Sequence, residues 1–202
     1  MEPGLKTTFP DIVVTMLLAC LATAVHAQQS VNIRGLVTAF DGRVIDVRTR
    51  DGGDVKIALP ETVNVNATKA FTMADIKPGM VMGVTTIKRA DGATLAIDVR
   101  PIPPTAPQGL SPFDLQPGST MTNAAVEAAV DSVGGQELVL NYKTGSVKVL
   151  VPPGTPMSQS TPGSRADIKP GETVFVSARA GEGGLFTAVR VQVSKEGVKP
   201  TQ

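Results

Sequence analysis

The 202-residue sequence predicts an all-β protein: two tandem five-stranded OB-like β-barrels joined by a Pro-rich linker and preceded by a signal peptide. Three observations carry that prediction. A six-residue string, Ala74-Asp75-Ile76-Lys77-Pro78-Gly79, recurs unchanged as Ala166-Asp167-Ile168-Lys169-Pro170-Gly171 at an offset of 92. Around each copy, short β-branched runs alternate with polar residues and are separated by Gly-bearing turns, the pattern of half-buried antiparallel strands. Near the N-terminus stands one apolar run, Ile12 to Val25, whose 14 residues fall short of the about 20 that a bilayer-spanning helix requires.

Taken in chain order, residues 1–27 read as the signal peptide. The apolar run ends in Val25-His26-Ala27 before the polar Gln28-Gln29-Ser30, which puts small residues where a signal peptidase cuts, after Ala27. The segment before it carries Glu2 and Asp11 against Lys6, so it lacks the usual positive excess. Leu17-Leu18-Ala19-Cys20 also resembles a lipoprotein box with Cys20 as the lipid carrier. The apolar stretch continues past Cys20, where such a box normally turns polar, so periplasmic release is the expected outcome.

Residues 31–100 form the first repeat, with strands expected at Val31 to Ala39, Val44 to Thr49, Asp54 to Leu59, Val81 to Lys88 and Thr94 to Arg100. Asp41-Gly42, Gly52-Gly53 and Asp91-Gly92 supply the positive φ that tight hairpins need. Residues 124–193 form the second repeat, with strands at Ala125 to Val133, Glu137 to Tyr142, Ser146 to Val151, Thr173 to Arg179 and Leu185 to Val193. Before each Ile-Lys-Pro-Gly there is room for one helical turn, which the proline would stop. Period-2 parity makes Ile33, Val37, Ile45, Val47, Val55, Ile57, Leu59, Met82, Val84, Leu95, Ile97 and Val99 the first core. Val174, Val176, Val189 and Val191 are the counterparts of the last members of that series.

Between the repeats, residues 101–123 are the linker, with prolines at 101, 103, 104, 107, 112 and 117 that favour an extended, stiff path. Leu110, Phe113 and Leu115 are too apolar for a solvated spacer and are expected to pack on a barrel. Residues 194–202 form a flexible tail.

Cleavage after Ala27 removes the only cysteine, Cys20, and the only histidine, His26. Thiol and imidazole catalysis, disulfides and Cys/His zinc sites are thereby excluded from the mature chain. The same cut removes Lys6, Glu2 and Asp11, so a formal charge of +1 becomes +2, which implies neither a polyanionic nor a strongly basic partner.

Candidate chemistry reduces to four patterns. Met73, Met80 and Met82 are the candidate metal ligands, as soft thioethers for Cu(I). Met82 aligns with Val174 and Met80 with Glu172, so the second repeat does not restate the pattern and packing is the preferred role. The aromatics Phe40, Phe71, Phe113, Tyr142, Phe175 and Phe186 could stack bases, but with so little net charge they are assigned to the core and no nucleic acid is expected. Asp41, Asp51 and Asp91 sit beside glycines as turn formers rather than as a catalytic pair. Arg34, Arg48 and Arg100 lie on outward parity and would form either an anion patch or ordinary solvated strand faces.

The run Arg34-Gly35-Leu36-Val37-Thr38-Ala39-Phe40-Asp41-Gly42, the turns, Leu59-Pro60 and the Ile-Lys-Pro-Gly string together resemble an exported bacterial family of domains of unknown function built as OB-like β-barrel repeats. The resemblance implies the fold in both repeats and no catalytic residues. The chain also resembles ones sometimes labelled as metal transporter permeases, and with no spanning segment it would at most be an accessory of a transporter. The expectation is a non-catalytic periplasmic protein, without cofactor, that binds or scaffolds an unidentified protein, glycan or small solute. The alternatives are an accessory for metal or solute transport and, third, an enzyme.

Overall fold

The computed structural model describes residues 30–200. The signal-peptide cleavage site, Cys20 and the last two residues of the tail lie outside the described residues. Thirteen strands run in order: β1 (Ser30–Phe40), β2 (Val44–Thr49), β3 (Asp54–Ala58), β4 (Asn64–Ala70), β5 (Val81–Lys88), β6 (Thr94–Pro101), β7 (Gly109–Pro112), β8 (Thr120–Ser132), β9 (Gly135–Tyr142), β10 (Gly145–Val151), β11 (Ser158–Pro162), β12 (Thr173–Ala180) and β13 (Leu185–Val193). Among the described residues no helix is long and apolar enough to cross a membrane.

Two closed five-stranded barrels result. In the first, β1 pairs with β2, β2 with β3, β3 in parallel with β13, β13 with β12, and β12 with β1. In the second, β8, β9, β10, β6 and β5 follow one another in the same order, with β10 parallel to β6 and β5 closing on β8. These rings correct the predicted domain boundaries. Neither 31–100 nor 124–193 is a barrel by itself, because each repeat gives its first three strands to one barrel and its last two to the other. The physical reason is that equivalent strands present equivalent faces, so the last two strands of either repeat complete either ring. The Pro-rich segment consequently connects β6 to β8 within the second barrel, and the chain passes between barrels through β4 and β11.

Those crossovers were not foreseen. β4 runs parallel to β13 and antiparallel to β11, extending the first barrel's sheet to seven strands. Each crossover ends in a single 3₁₀ turn, Met73–Asp75 or Arg165–Asp167, where the helical turn was expected.

The repeated hexapeptide is explained residue by residue. Asp75 accepts from both the backbone N–H and the hydroxyl of Thr72, and Asp167 does the same with Ser164, closing each turn at its N-terminus. Ile76 then enters the second barrel's core and Ile168 the first, while Lys77 and Lys169 stay exposed. Gly79 and Gly171 adopt φ of 86° and 92°, and their N–H groups donate to Val126 and Val37 at 2.8 and 2.9 Å. Glycine is required there because the left-handed region is costly for a residue with a Cβ. The string latches each crossover to the mouth of the barrel it has just entered.

The cores follow the parity expectation except at two places. Leu95 and Ile97 are only half-buried, and Ala96 faces inward instead, because the β5–β6 ladder slips between Thr85 and Thr86. The β12–β13 ladder slips at the equivalent point, between Ser177 and Ala178, leaving Val189 48% exposed and Ala188 buried. One extra residue in a strand reverses the facing of those before it.

Candidate functional site between the barrels

Each barrel turns one cross-strand row toward the other. In the first barrel the row is Arg34, Phe175 and Gln192 on β1, β12 and β13, and in the second it is Asn123, Gly83 and Arg100 on β8, β5 and β6. The two rows are equivalent in topology and differ at every position.

From these rows a ladder of alternating guanidinium and phenyl groups is built. The Arg34 guanidinium carbon lies 5.0 Å from the Phe175 ring centre and 5.8 Å from that of Phe113. Arg190 on β13 covers Phe175 at 5.5 Å, and Arg100 covers Phe113 at 5.8 Å. All four separations fall within the range of about 6 Å for cation–π attraction. The order Arg190, Phe175, Arg34, Phe113, Arg100 runs from the first barrel through the linker to the second.

Two carboxylates flank it. Asp114 accepts from Arg34 at 2.8 and 3.2 Å and from the Asn32 amide at 3.1 Å, and these contacts, the Arg34 bond foremost, hold its carboxyl below the usual range. Asp98 has a fully buried side chain and accepts from the Arg100 guanidinium, 8% exposed. Burial pushes the Arg100 pKa down, Asp98 opposes that shift, and repulsion from Arg190 and Arg34 reinforces it. Arg190 is lowered by partial desolvation although its side chain remains exposed, and Arg50 by burial and then by repulsion from Arg34. The Nε of Arg34 is buried and finds no hydrogen-bond partner among the described residues.

Beside the ladder opens a cleft of about 400 Å³. Asn32, Phe175, Ser177 and Arg190 come to it from the first barrel, Arg100 and Asn123 from the second, Phe113 from the linker and Ser160 from β11. A larger concavity of about 600 Å³ lies against Arg165, whose guanidinium is already bound to the carbonyls of Gly42, Leu59 and Pro60.

Of the predicted arginine patch, Arg34 and Arg100 are brought together through Phe113, whereas Arg48 sits on the far surface in an exposed pair with Asp54 at 2.6 Å. Arg190 and Arg50 were missed. Phe175 is buried as expected and is also a rung of the ladder, Phe113 is half-buried in the linker as a second rung, Phe71 is in the second core, and Phe40, Phe186 and Tyr142 pack against the cores. Met82 is fully buried in the second core, against which Met73 and Met80 also pack, and the Met80 sulfur accepts from the Lys77 N–H at 3.3 Å. Asp41 accepts from the N–H groups of Arg43 and Val44, and Asp91 from that of Ala93, as turn formers do. Of the linker's apolar residues, Phe113 and Leu115 are half-buried and Leu110 remains 50% exposed.

A scan against family models, a search of curated proteins and a search of solved structures each return no match.

Proposed function

We propose that this is a non-catalytic protein, exported to the periplasm after cleavage behind Ala27, that binds or scaffolds its target through the cleft between the two barrels. The observation that carries the reading is the composition of that cleft: charged, amide, hydroxyl and aromatic side chains from both barrels, the linker and a crossover strand converge on one concave surface. Such convergence of a few polar groups on a partly apolar hollow is what ligand sites share. A non-catalytic role is supported by the absence of histidine and cysteine after Ala27 and by the engagement of Asp98 and Asp114 with arginines. The resemblance to exported OB-like repeat domains points the same way.

The test places a photo-crosslinking residue at Ser160 in the cleft and, separately, at exposed Lys143, in cells fractionated after irradiation. Export with an adduct from Ser160 and none from Lys143 is expected. Protein confined to the cytoplasm, or equal labelling at both sites, would reject the reading.

A further inference from the structure

Resting on that reading of the cleft, we propose that its ligand is a small organic oxyanion of monosaccharide size, whose carboxylate or phosphate is received between Arg100 and Arg190. Three features of the molecule lead there. First, the two ends of the ladder converge. Arg190 and Arg100 belong to different barrels, and both line the cleft. Arginine's planar fork of donors matches two oxygens of one carboxylate or phosphate, and its aromatic neighbours hold the fork in place with little loss of flexibility on binding.

Second, the repeats diverge where the barrels face each other. Core positions keep their character across the offset of 92, as Met82 with Val174, Val84 with Val176 and Ile76 with Ile168. At the facing rows Gly83 stands for Phe175 and Arg100 for Gln192, Asn123 pairs with Gly83 as Arg34 pairs with Phe175, and at the offset of 92 Asp98 stands for Arg190. Gly83 has a specific consequence. A Cβ at this position would come within 3.1 Å of Ile102, 3.3 Å of the Asn123 amide oxygen and 3.5 Å of the Arg100 Nε, three groups at the cleft wall. The missing side chain lets those three groups pack close against the strand, whereas its counterpart Phe175 supports two arginines.

Third, the arginines repel one another. Arg34, Arg100 and Arg190 stand together in the ladder, and Arg190 and Arg34 work against the charge of Arg100 while Asp98 favours it, so an oxyanion in the cleft would add to the compensation that Asp98 provides. The volume of about 400 Å³ suits a sugar-sized solute and lies at the small end of ligand cavities. Asn32, Ser160 and Ser177 supply neutral polar groups for hydroxyls.

Titration calorimetry of the intact mature protein against glucuronate, glucose 6-phosphate, inorganic phosphate and neutral glucose tests this. At least one charged sugar is expected to bind tenfold or more tightly than glucose, with an affinity that falls as salt is raised. Preference for glucuronate or for glucose 6-phosphate identifies the oxyanion, and inorganic phosphate competing as well as the phosphosugar would overturn the requirement for a sugar-sized body. Arg190→Gln should lose at least tenfold and Arg48→Gln nothing. Ser177→Asp places a carboxylate in the cleft without removing any arginine, so it should remain folded and abolish binding. Equal binding of charged and neutral sugars, or none of either by folded protein, overturns the proposal. Should the Ser160 crosslinker still capture a target in that case, the cleft remains a binding site for something other than an oxyanion.

Discussion

Thr68 of β4 and Ser160 of β11 face each other across an antiparallel ladder, and they are 92 residues apart, the offset that relates the two hexapeptides. Asn66 faces Pro162 and Ala70 faces Ser158, so each crossover meets its own counterpart. This is the self-complementary contact of a two-fold dimer, here made within one chain. The two repeats are thus related as the exchanged halves of a pair, and several consequences can be measured.

Ile76 and Ile168 fill equivalent places in opposite barrels. An aspartate at either would bury an unpaired carboxylate, a change that costs several kcal/mol and is comparable to the roughly 5–15 kcal/mol that stabilises a domain. Melting curves should show Ile76→Asp and Ile168→Asp strongly destabilised. Lys77→Asp and Lys169→Asp, on exposed neighbours, should stay within about 0.5 kcal/mol. Near-equal stability of all four variants would rule out the plug role.

The second barrel is contiguous in sequence, with all five of its strands between Val81 and Val151, and its core adds Phe71 and Ile76. A fragment from Phe71 to Met157 should fold alone and melt cooperatively. A fragment from Ser30 to Pro101, which is one sequence repeat, holds three strands of one ring and two of the other. It should be unfolded as a monomer or recover structure only as a dimer, which sedimentation would distinguish.

Asp98 and Arg100 form the one ion pair among those described in which both side chains are at least nine-tenths buried. Arg100→Ala removes one partner of the buried Asp98 carboxylate and should cost up to about 3–5 kcal/mol, the usual effect of breaking a buried pair from one side. The combined Asp98→Asn and Arg100→Met variant should recover most of that loss. A double variant no more stable than Arg100→Ala alone would show that the pair is not the source of the effect.

Asp114 ties the linker to the first barrel through Arg34 and Asn32, and its pKa is depressed. Because the folded value is the lower one, the stabilisation is fully present above the ordinary carboxylate pKa and fades as pH falls through the depressed value. Protease sensitivity of the linker should therefore rise on acidification below about pH 4. Asp114→Asn should raise it already at neutral pH and flatten the dependence.

The released protein should begin at Gln28 and carry no lipid, which intact mass measures directly. A diacylated Cys20 at the N-terminus would place the protein on a membrane instead.

Much of this architecture was legible because strand chemistry is local. The Asp-Gly turns, the alternation and the duplicated hexapeptide located ten barrel strands, with β8 beginning at Thr120, five residues before the expected Ala125. What escaped notice was long-range or irregular. The bulges that turn Ile97 and Val189 outward leave no mark in composition. β4 and β11 hide in Asn64-Val65-Asn66 and Ser158-Gln159-Ser160, where polar residues of low β-propensity depend on neighbouring strands for their pairing. Strand exchange was invisible for a deeper reason, since a duplicated sequence offers each strand two chemically similar partners. Arg34 and Arg100 could be read as outward-facing, but only the apposition of the barrels reveals that Phe113 lies between them.

The interleaving also sets an order of events during synthesis. β1, β2 and β3 emerge first, yet the strands that complete their ring, β12 and β13, begin only at Thr173. Until then the outer edges of β1 and β3 have no partners from their own ring, and such edges invite pairing with other chains. The inner barrel meanwhile has every strand it needs by Val151 and can form before β12 and β13 are available. The first of the described strands are thus the last to be enclosed.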